Sequence, residues 1–305
     1  MKKLILIMFF VFNSLVYANV NAVVSILPQK TFLEAIGGDK VNVALMVKPG
    51  NSPHSYEPKP SQMKDISKAD IYFSIGIEFE HVWLPKFANQ NKKMKIVNSA
   101  KGIEKIDMIA HSHDHDYKHK EDKHEHHDHD HGAHDHHHGH DHDHGKKDPH
   151  VWTSPSNVKI IANNFYKYLV RIDKKNKNYY KSNLDKFIKK INQTDKKIKQ
   201  ILLDTPTGTK FMIFHPAWGY FAKDYGLKQV AIEAGGKNPK PKQVMNLIQE
   251  AKEENVKAIF TAPEFSEKTA KQIAKEVGVP VIKISPLNPK WSQNLIKFAK
   301  AVANK

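Results

Sequence analysis

Histidine is the residue type with the most chemical potential in this sequence, and its 20 copies fall into two groups. Sixteen lie in residues 111–144, and the other four are His54, His81, His150 and His215. Imidazole nitrogens bind zinc, copper and nickel, and they exchange protons near neutral pH. Because the sequence has no cysteine, thiolate ligands, thiol nucleophiles and disulfides are excluded from its chemistry.

Three of the four isolated histidines share a sequence context. His54, His150 and His215 each adjoin a proline, whereas His81 does not. Proline fixes its own φ and restricts the residue before it, so these three positions are expected in stiffened loops. We interpret them as a candidate metal-binding set and His81 as a structural residue. Three imidazoles at one point favour zinc, since manganese, magnesium and calcium prefer oxygen ligands.

The predicted elements explain how these three side chains meet. His54 follows the β-branched run Val41–Val47, and His215 stands at the end of the run Lys210–Phe214. His150 shortly precedes a serine–proline pair of the kind that begins a helix. Ligands of open α/β sheets gather outside the carboxyl ends of the strands. The three histidines are therefore expected in a cleft between two halves of the molecule.

Short β-branched runs alternate with stretches of helical spacing, which indicates parallel sheets covered by helices. Four runs fall in each half of the chain. We therefore predict an α/β fold of two similar lobes, each a four-stranded, mainly parallel sheet with flanking helices. The predicted strands are Ala22–Leu27, Val41–Val47, Asp70–Ile75, Lys95–Asn98, Lys210–Phe214, Gln229–Ile232, Ala258–Thr261 and Val279–Ile284.

A single long helix is predicted between the lobes. Residues 174–204 contain neither proline nor glycine, and their apolar residues fall on one helical stripe. At 1.5 Å per residue such a helix reaches ~40 Å or more, and it makes a stiff connection. We therefore divide the mature chain into an N-terminal lobe at 19–173, a linker helix at 174–204 and a C-terminal lobe at 205–305.

Residues 111–144, which we call the His-rich tract, interrupt the first lobe. They hold sixteen histidines, ten aspartates or glutamates and three lysines. So polar a segment buries too little surface to offset its chain entropy, and it is expected to be a disordered surface insertion. Its net charge is −7 with neutral histidines and +9 with all of them protonated, so the sign changes as the pH falls through about 6.5.

The N-terminus has the three parts of a secretory signal. Met1 and two lysines precede an apolar run from Leu4 to Val16, and a small residue follows at Ala18. The run is too short to cross a bilayer, which needs about 20 helical residues. We predict a signal peptide at 1–18, with Ala22 as a second possible cleavage site, and export to the periplasm without a cysteine for a lipid anchor.

The net charge of +16 makes nucleic acid a candidate binding partner. Almost all of the cations are lysines, however, and Arg171 is the only arginine. Bidentate recognition of bases and phosphates usually draws on arginine. We therefore interpret the lysines as a solvated surface, and we predict neither a nucleic-acid partner nor a membrane-spanning segment in the mature chain.

Three segments resemble the metal-binding segments of the zinc-specific solute-binding proteins of bacterial ABC transporters. They are Pro49–Pro58, Asp148–Trp152 and Phe214–Phe221, in that order and with a His-rich insertion before the second. The resemblance runs from about Ala22 to the C-terminus. It implies two α/β lobes joined by a rigid helix, with the metal held between them.

Matched residue by residue, the resemblance implies that His54, His150 and His215 are the metal ligands. In manganese-binding relatives the position of His215 is a glutamate, and an aspartate from the second lobe completes the site. Ser266 falls where that aspartate would be. The fourth ligand is therefore left open between a water molecule and a carboxylate such as Glu264.

These observations favour a monomeric periplasmic receptor that captures Zn²⁺ as cargo and delivers it to an inner-membrane ABC permease with its cytoplasmic ATPase. Such a receptor binds and releases zinc without catalysis. The alternatives are a hydrolytic zinc enzyme with Glu264 as base, a manganese or iron receptor, and a zinc store or adhesin without a permease. The enzyme is disfavoured because no His-Glu-x-x-His helix accompanies the three histidines.

The His-rich tract is predicted to hold further zinc weakly. It either raises or reports the local zinc supply, or it acts as a passive buffer. Its candidate accessory ligands are His113, His115, His124, His126, His127, His129, His131, His134, His136, His137, His138, His140, His142 and His144.

Deleting residues 111–144 is expected to remove these weak equivalents and to leave one tight zinc site, because the three isolated histidines lie outside the tract. Equilibrium dialysis followed by metal analysis counts the bound equivalents. Loss of the tight site in the deleted variant would place that site in the tract instead.

Overall fold

The computed structural model describes residues 19–108, 147–233 and 237–305. All eight predicted strands are present there, with ends that differ from the predicted ones by no more than three residues. The strands are β1 Val20–Val24, β2 Val41–Leu45, β3 Ile71–Ser74, β4 Lys95–Asn98, β5 Lys210–Ile213, β6 Lys228–Ala231, β7 Ile259–Thr261 and β8 Val281–Lys283.

The same residues form nine α-helices, none of which is both long and apolar enough to cross a membrane. The helices are α1 Leu27–Gly37, α2 Pro60–Lys68, α3 Glu78–Gln90, α4 Pro155–Ile172, α5 Lys177–Ile201, α6 Gly219–Asp224, α7 Pro241–Glu253, α8 Lys268–Val277 and α9 Trp291–Val302.

The strands form two sheets of four, with the orders β2-β1-β3-β4 and β6-β5-β7-β8. Every neighbouring pair is parallel; Val20 lies opposite Val41 in the first sheet, and Lys210 lies opposite Lys228 in the second. The shared order confirms the predicted α/β fold of two similar lobes. The inner strands are almost wholly buried because helices cover both faces, which accounts for their unbroken apolar runs.

Helix α5 is the long helix predicted between the lobes. Its 25 residues span ~38 Å, and a tighter 3₁₀ turn at Lys174–Asn176 precedes it. It packs against α1 and α4 of the first half and against α9 of the second half, so it contacts both lobes. Its buried stripe consists of Tyr180, Leu184, Phe187, Ile191, Thr194 and Ile198.

One apolar core continues from the N-terminal lobe through α5 into the C-terminal lobe. The Phe32 ring on α1 lies 5.6 Å from that of Phe187 on α5 and 5.5 Å from that of Trp291 on α9. Trp291 Nε1 donates to the carbonyl of Trp152 (2.8 Å), and Trp152 Nε1 donates to the carbonyl of Pro286 (2.9 Å). The lobes are therefore joined directly as well as through the helix.

Loops at the carboxyl ends of the strands position two of the isolated histidines. His54 lies in the loop from β2 to α2, and His215 lies two residues beyond the end of β5. His150 precedes α4, which begins as predicted: Ser154 Oγ accepts from the amide of Asn157 (3.1 Å), and a proline takes the first helical position. These loops set the geometry of the site.

Several predictions concern other features of the chain. The signal peptide at 1–18 and the insertion at 111–144, with its accessory histidines, lie outside the described residues. The division into 19–173, 174–204 and 205–305 stays a prediction; it assigns one sheet to each side of the linker.

Adding zinc is expected to leave the radius of gyration unchanged within error, because the shared core and α5 hold the lobes at a fixed distance. Small-angle X-ray scattering with and without Zn²⁺ measures this. The variant lacking residues 111–144 serves as the sample, so that metal binding in the tract does not alter the profile. A clear compaction with zinc would contradict the stiff connection.

Candidate metal centre

His54, His150 and His215 converge on one point. Nε2 of His215 lies 3.0 Å from Nε2 of His54 and 3.2 Å from Nε2 of His150. The ligand atoms of the three residues all lie within 4.8 Å of one another, and the described residues contain no other such group of three. The structure therefore brings together the three histidines that adjoin a proline.

Each of the three histidines also has a carboxylate on its other ring nitrogen. An ionised carboxylate only accepts hydrogen bonds, so Nδ1 carries the proton and donates it. This fixes the tautomer in which Nε2 presents a lone pair to the common centre, as a metal ligand must. The Nδ1 pairs are His54 with Glu78 (2.8 Å), His150 with Asp148 (2.7 Å) and His215 with Glu233 (2.8 Å).

The separations of His215 Nε2 from the other two Nε2 atoms are close to those in a tetrahedral zinc site. Zn–N bonds of about 2.0–2.1 Å at tetrahedral angles place the ligand nitrogens ~3.3 Å apart. The observed separations of 3.0 and 3.2 Å are slightly shorter, so a small outward shift accommodates the ion. Three converging lone pairs repel one another unless a cation lies between them, and the arrangement therefore favours binding of one.

Burial of the histidines favours their neutral form, which is the form that binds a metal. His150 and His215 are 2% and 7% exposed, and His54 is partly buried. Burial lowers the pKa of His215 to about 4, against the opposing effect of its hydrogen bond to Glu233. The His215 imidazole is therefore neutral at pH 7 and has no proton to lose when it binds a metal.

The Asp148 carboxylate reaches its position because Gly219 makes room for it. A Cβ at Gly219 would lie 2.7 Å from Asp148 Oδ2, so only glycine admits the carboxylate at this distance. The hydroxyl of Tyr220 donates to the Asp148 carbonyl (2.8 Å), and the amide of His150 donates to Asp148 Oδ1 (2.8 Å). The segment after β5 in the C-terminal lobe thus holds the loop that carries His150.

Mostly apolar side chains enclose the three histidines. Phe265 stacks on the ring of His215, with centroids 4.4 Å apart and an interplanar angle of 22°. Surroundings of low polarity strengthen the attraction between a cation and its ligands. Beside the histidines, the cavity is lined by Pro53, Trp152, Glu264, Phe265, Pro286 and Leu287.

The other residues singled out from the sequence lie in different places. Glu264 lines the cavity but does not belong to the cluster of three. Ser266 is exposed and is not part of the cavity lining, and His81 is exposed on α3. The candidate accessory histidines lie outside the described residues.

Sequence analysis did not identify the three carboxylates that bond to the histidines. A signal was available for two of them: Asp148 stands two residues before His150, and Glu233 follows β6 as His215 follows β5. Glu78 is 24 residues from His54 along the chain, so only the packing of the β2–α2 loop against the start of α3 brings it near.

The family model of ZnuA, described as zinc-uptake complex component A, periplasmic, matches residues 22–304. The chain belongs to this family. The high-affinity zinc uptake system protein ZnuA of Bacillus subtilis is 32% identical over 263 residues, which cover 85% of this chain and 75% of that protein. The manganese ABC transporter substrate-binding lipoprotein PsaA of Streptococcus pneumoniae is 28% identical over 255 residues, covering 81% and 73%.

A crystal structure of a ZnuA deletion mutant with zinc bound is similar to the whole fold. Its TM-score is 0.79 at 36% identity, and the match covers 94% of this chain and 97% of that one. As a ZnuA-family member, this protein is a metal-binding receptor of an ABC transporter. Because its relatives include a manganese protein, the family alone does not decide the metal.

Replacing Asp148 by Asn is expected to weaken metal binding about 10- to 100-fold, because an amide can donate to Nδ1 and favour the wrong tautomer of His150. Calorimetric titration with Zn²⁺ measures the loss. Asp107→Asn is the matched control, since Asp107 forms an exposed ion pair with Lys147 (2.6 Å). Equal affinities in the two variants would contradict an orienting role for Asp148.

Proposed function

We propose that this protein is a periplasmic receptor that captures Zn²⁺ between its lobes, with His54, His150 and His215 as ligands, and delivers it to an ABC permease. The observation that carries the proposal is the convergence of three Nε2 atoms, each oriented by a carboxylate on Nδ1. Similarity to the zinc uptake protein of Bacillus subtilis supports it.

The ligand set favours zinc over manganese. Three neutral imidazoles suit Zn²⁺, whereas Mn²⁺ prefers carboxylates, carbonyls and water. The position that the family resemblance assigns to glutamate in manganese-binding relatives is His215 here, and Glu233 orients its ring. The related ZnuA structure with zinc bound agrees with this preference.

Capture of the ion requires little rearrangement. The three imidazoles already point inward, and at pH 7 the His215 ring is already neutral because its pKa is lowered to about 4. The shared core and α5 hold the two lobes in place around the site. A site prepared in this way loses little freedom on binding, which favours tight capture of a scarce ion.

Delivery completes the proposed cycle, and no reaction occurs at the metal. The receptor docks as a monomer on an inner-membrane permease with its cytoplasmic ATPase and releases the ion there. Export through the signal peptide at 1–18 supplies the periplasmic location. Weak sites in residues 111–144 hold additional zinc near the cleft, as a source or as a buffer.

Zinc is expected to bind at one tight site and Mn²⁺ far more weakly, because the proposed ligands include three imidazoles. Competition titration against a chelating dye, in the variant lacking residues 111–144, compares the two metals. Equal or reversed affinities would contradict a zinc receptor.

Two further experiments test the proposed histidine ligands and the role in transport. His150→Ala removes a ligand and is expected to abolish tight binding, whereas His81→Ala, on the exposed surface of α3, is expected to leave it intact. The zinc-loaded protein should also stimulate the ATPase activity of its cognate permease in proteoliposomes. Tight zinc binding without stimulation would contradict the role in transport.

A further inference from the structure

We infer that Glu80 is a positioning residue of the metal centre. Its buried carboxylate fixes the turn between β3 and α3, and that turn holds Glu78 in the place from which it orients His54. This inference rests on the proposed function, because it concerns the same three-histidine site. It gives Glu80 no contact with the ion, since Glu80 acts only through Glu78.

The carboxylate of Glu80 is almost completely buried, and its hydrogen-bond donors come mainly from the turn. Glu80 is 3% exposed. The amide of Gly76 donates to Oε2 (2.7 Å), and the amide of Ile75 donates to Oε1 (3.0 Å) and Oε2 (3.1 Å). Ser25 Oγ also donates to Oε1. A buried carboxylate is unfavourable without such donors, and the same bonds fix the backbone of the turn around it.

Ser25 joins the Glu80 carboxylate to the two central strands of the first sheet. It directly follows β1, and its Oγ lies 2.8 Å from the hydroxyl of Tyr72 on β3. Gln29 Oε1 accepts from the amide of Ser25 (3.0 Å), and Gln29 Nε2 donates to the carbonyl of Phe73 (3.0 Å). A buried network whose polar groups are paired is rigid. The carboxylate is therefore anchored to β1, β3 and α1 at once.

The geometry of α3 explains how a residue in the core acts on the metal centre. Glu78 and Glu80 are the first and third residues of the helix, and residues two positions apart point to nearly opposite sides of it. Glu80 points into the lobe, whereas Glu78 Oε2 accepts from Nδ1 of His54 (2.8 Å). Gly76 has φ +91°, which favours glycine and gives the turn its shape. Because this turn leads directly into α3, its position sets the position of Glu78.

The bond between His54 and Glu78 depends on that position. A group that supports a binding site holds it in productive geometry only within about 0.5 Å. Glutamine at position 80 would have one acceptor oxygen, and its NH₂ group would face an amide N–H or a hydroxyl that needs an acceptor. The substitution Glu80→Gln is therefore expected to displace the turn, and Glu78 with it.

Zn²⁺ binding by four forms of the full chain tests the inference: the unmodified protein, Glu78→Gln, Glu80→Gln and the double variant. Competition with a strong chelator reads the tight site alone. We expect Glu80→Gln to weaken binding about 10-fold in the unmodified background, the lower end of the range for loss of an outer partner of a metal ligand. In the Glu78→Gln background it should cost less than about twofold, because the residue through which Glu80 acts has already lost its role.

Equal losses in the two backgrounds, or no loss in either, would overturn the inference. Ile36→Val is the control for lost stability, since Ile36 is fully buried on α1 and belongs to no hydrogen bond of this network. It should lower the melting temperature and leave Zn²⁺ affinity unchanged; a loss of affinity as large as that of Glu80→Gln would contradict a positioning role. If Glu80→Gln does not fold, Gly76→Ala strains the same turn and is expected to show the same pattern in the two backgrounds.

The tautomer of His54 in the metal-free protein gives a readout that is independent of affinity. Long-range proton–nitrogen correlation NMR spectra of the imidazole show which ring nitrogen carries the proton. We expect the form protonated at Nδ1 in the unmodified protein and a mixture of both forms in Glu80→Gln. An unchanged tautomer in Glu80→Gln would mean that Glu80 does not position Glu78.

The outcome for His150→Ala separates this inference from the proposed function. If His150→Ala loses the tight site while Glu80→Gln keeps its full affinity, the receptor stands and only the role of Glu80 is wrong. If His150→Ala keeps the tight site, the three-histidine centre itself is wrong, and the role of Glu80 falls with it.

Discussion

The hydrogen bond from an imidazole Nδ1 to a buried or partly buried carboxylate is the interaction on which this site depends. It occurs three times, and each time it directs an Nε2 lone pair toward the same point. An imidazole without such a bond can rotate and change tautomer. The carboxylates belong to three separate segments. The positions of the three Nε2 atoms therefore depend on how precisely those segments pack against the histidine loops.

The need for precise packing explains the architecture of the sheets and helices around the site. Parallel strands place their carboxyl ends at one edge of each sheet, and the two sheets share one strand order. A continuous core and α5 then hold these two edges together. Close approach is needed as well as stiffness, and Gly219 supplies it by admitting the Asp148 carboxylate where any other residue would place a Cβ.

The fold could be read from the sequence to a large extent because its signals are local. Alternation of β-branched runs with helical stretches predicted all eight strands, and a segment without proline or glycine predicted α5. Proline neighbours also singled out the three histidines that meet. The partners of those histidines could not be predicted in the same way. Glu78, at the start of α3, and Phe265, in the loop after β7, reach the site only because segments distant in sequence pack together, and no local pattern encodes that approach.

Trp152 links the metal centre to the interface between the two lobes. Its ring centroid lies 5.3 Å from that of His150, its indole donates to the Pro286 carbonyl, and its own carbonyl accepts from the indole of Trp291. A hinge motion that parted the lobes would break both bonds and displace His150 at the same time. Release of a bound ion by that route would therefore cost two buried hydrogen bonds in addition to the bonds between the ion and its ligands.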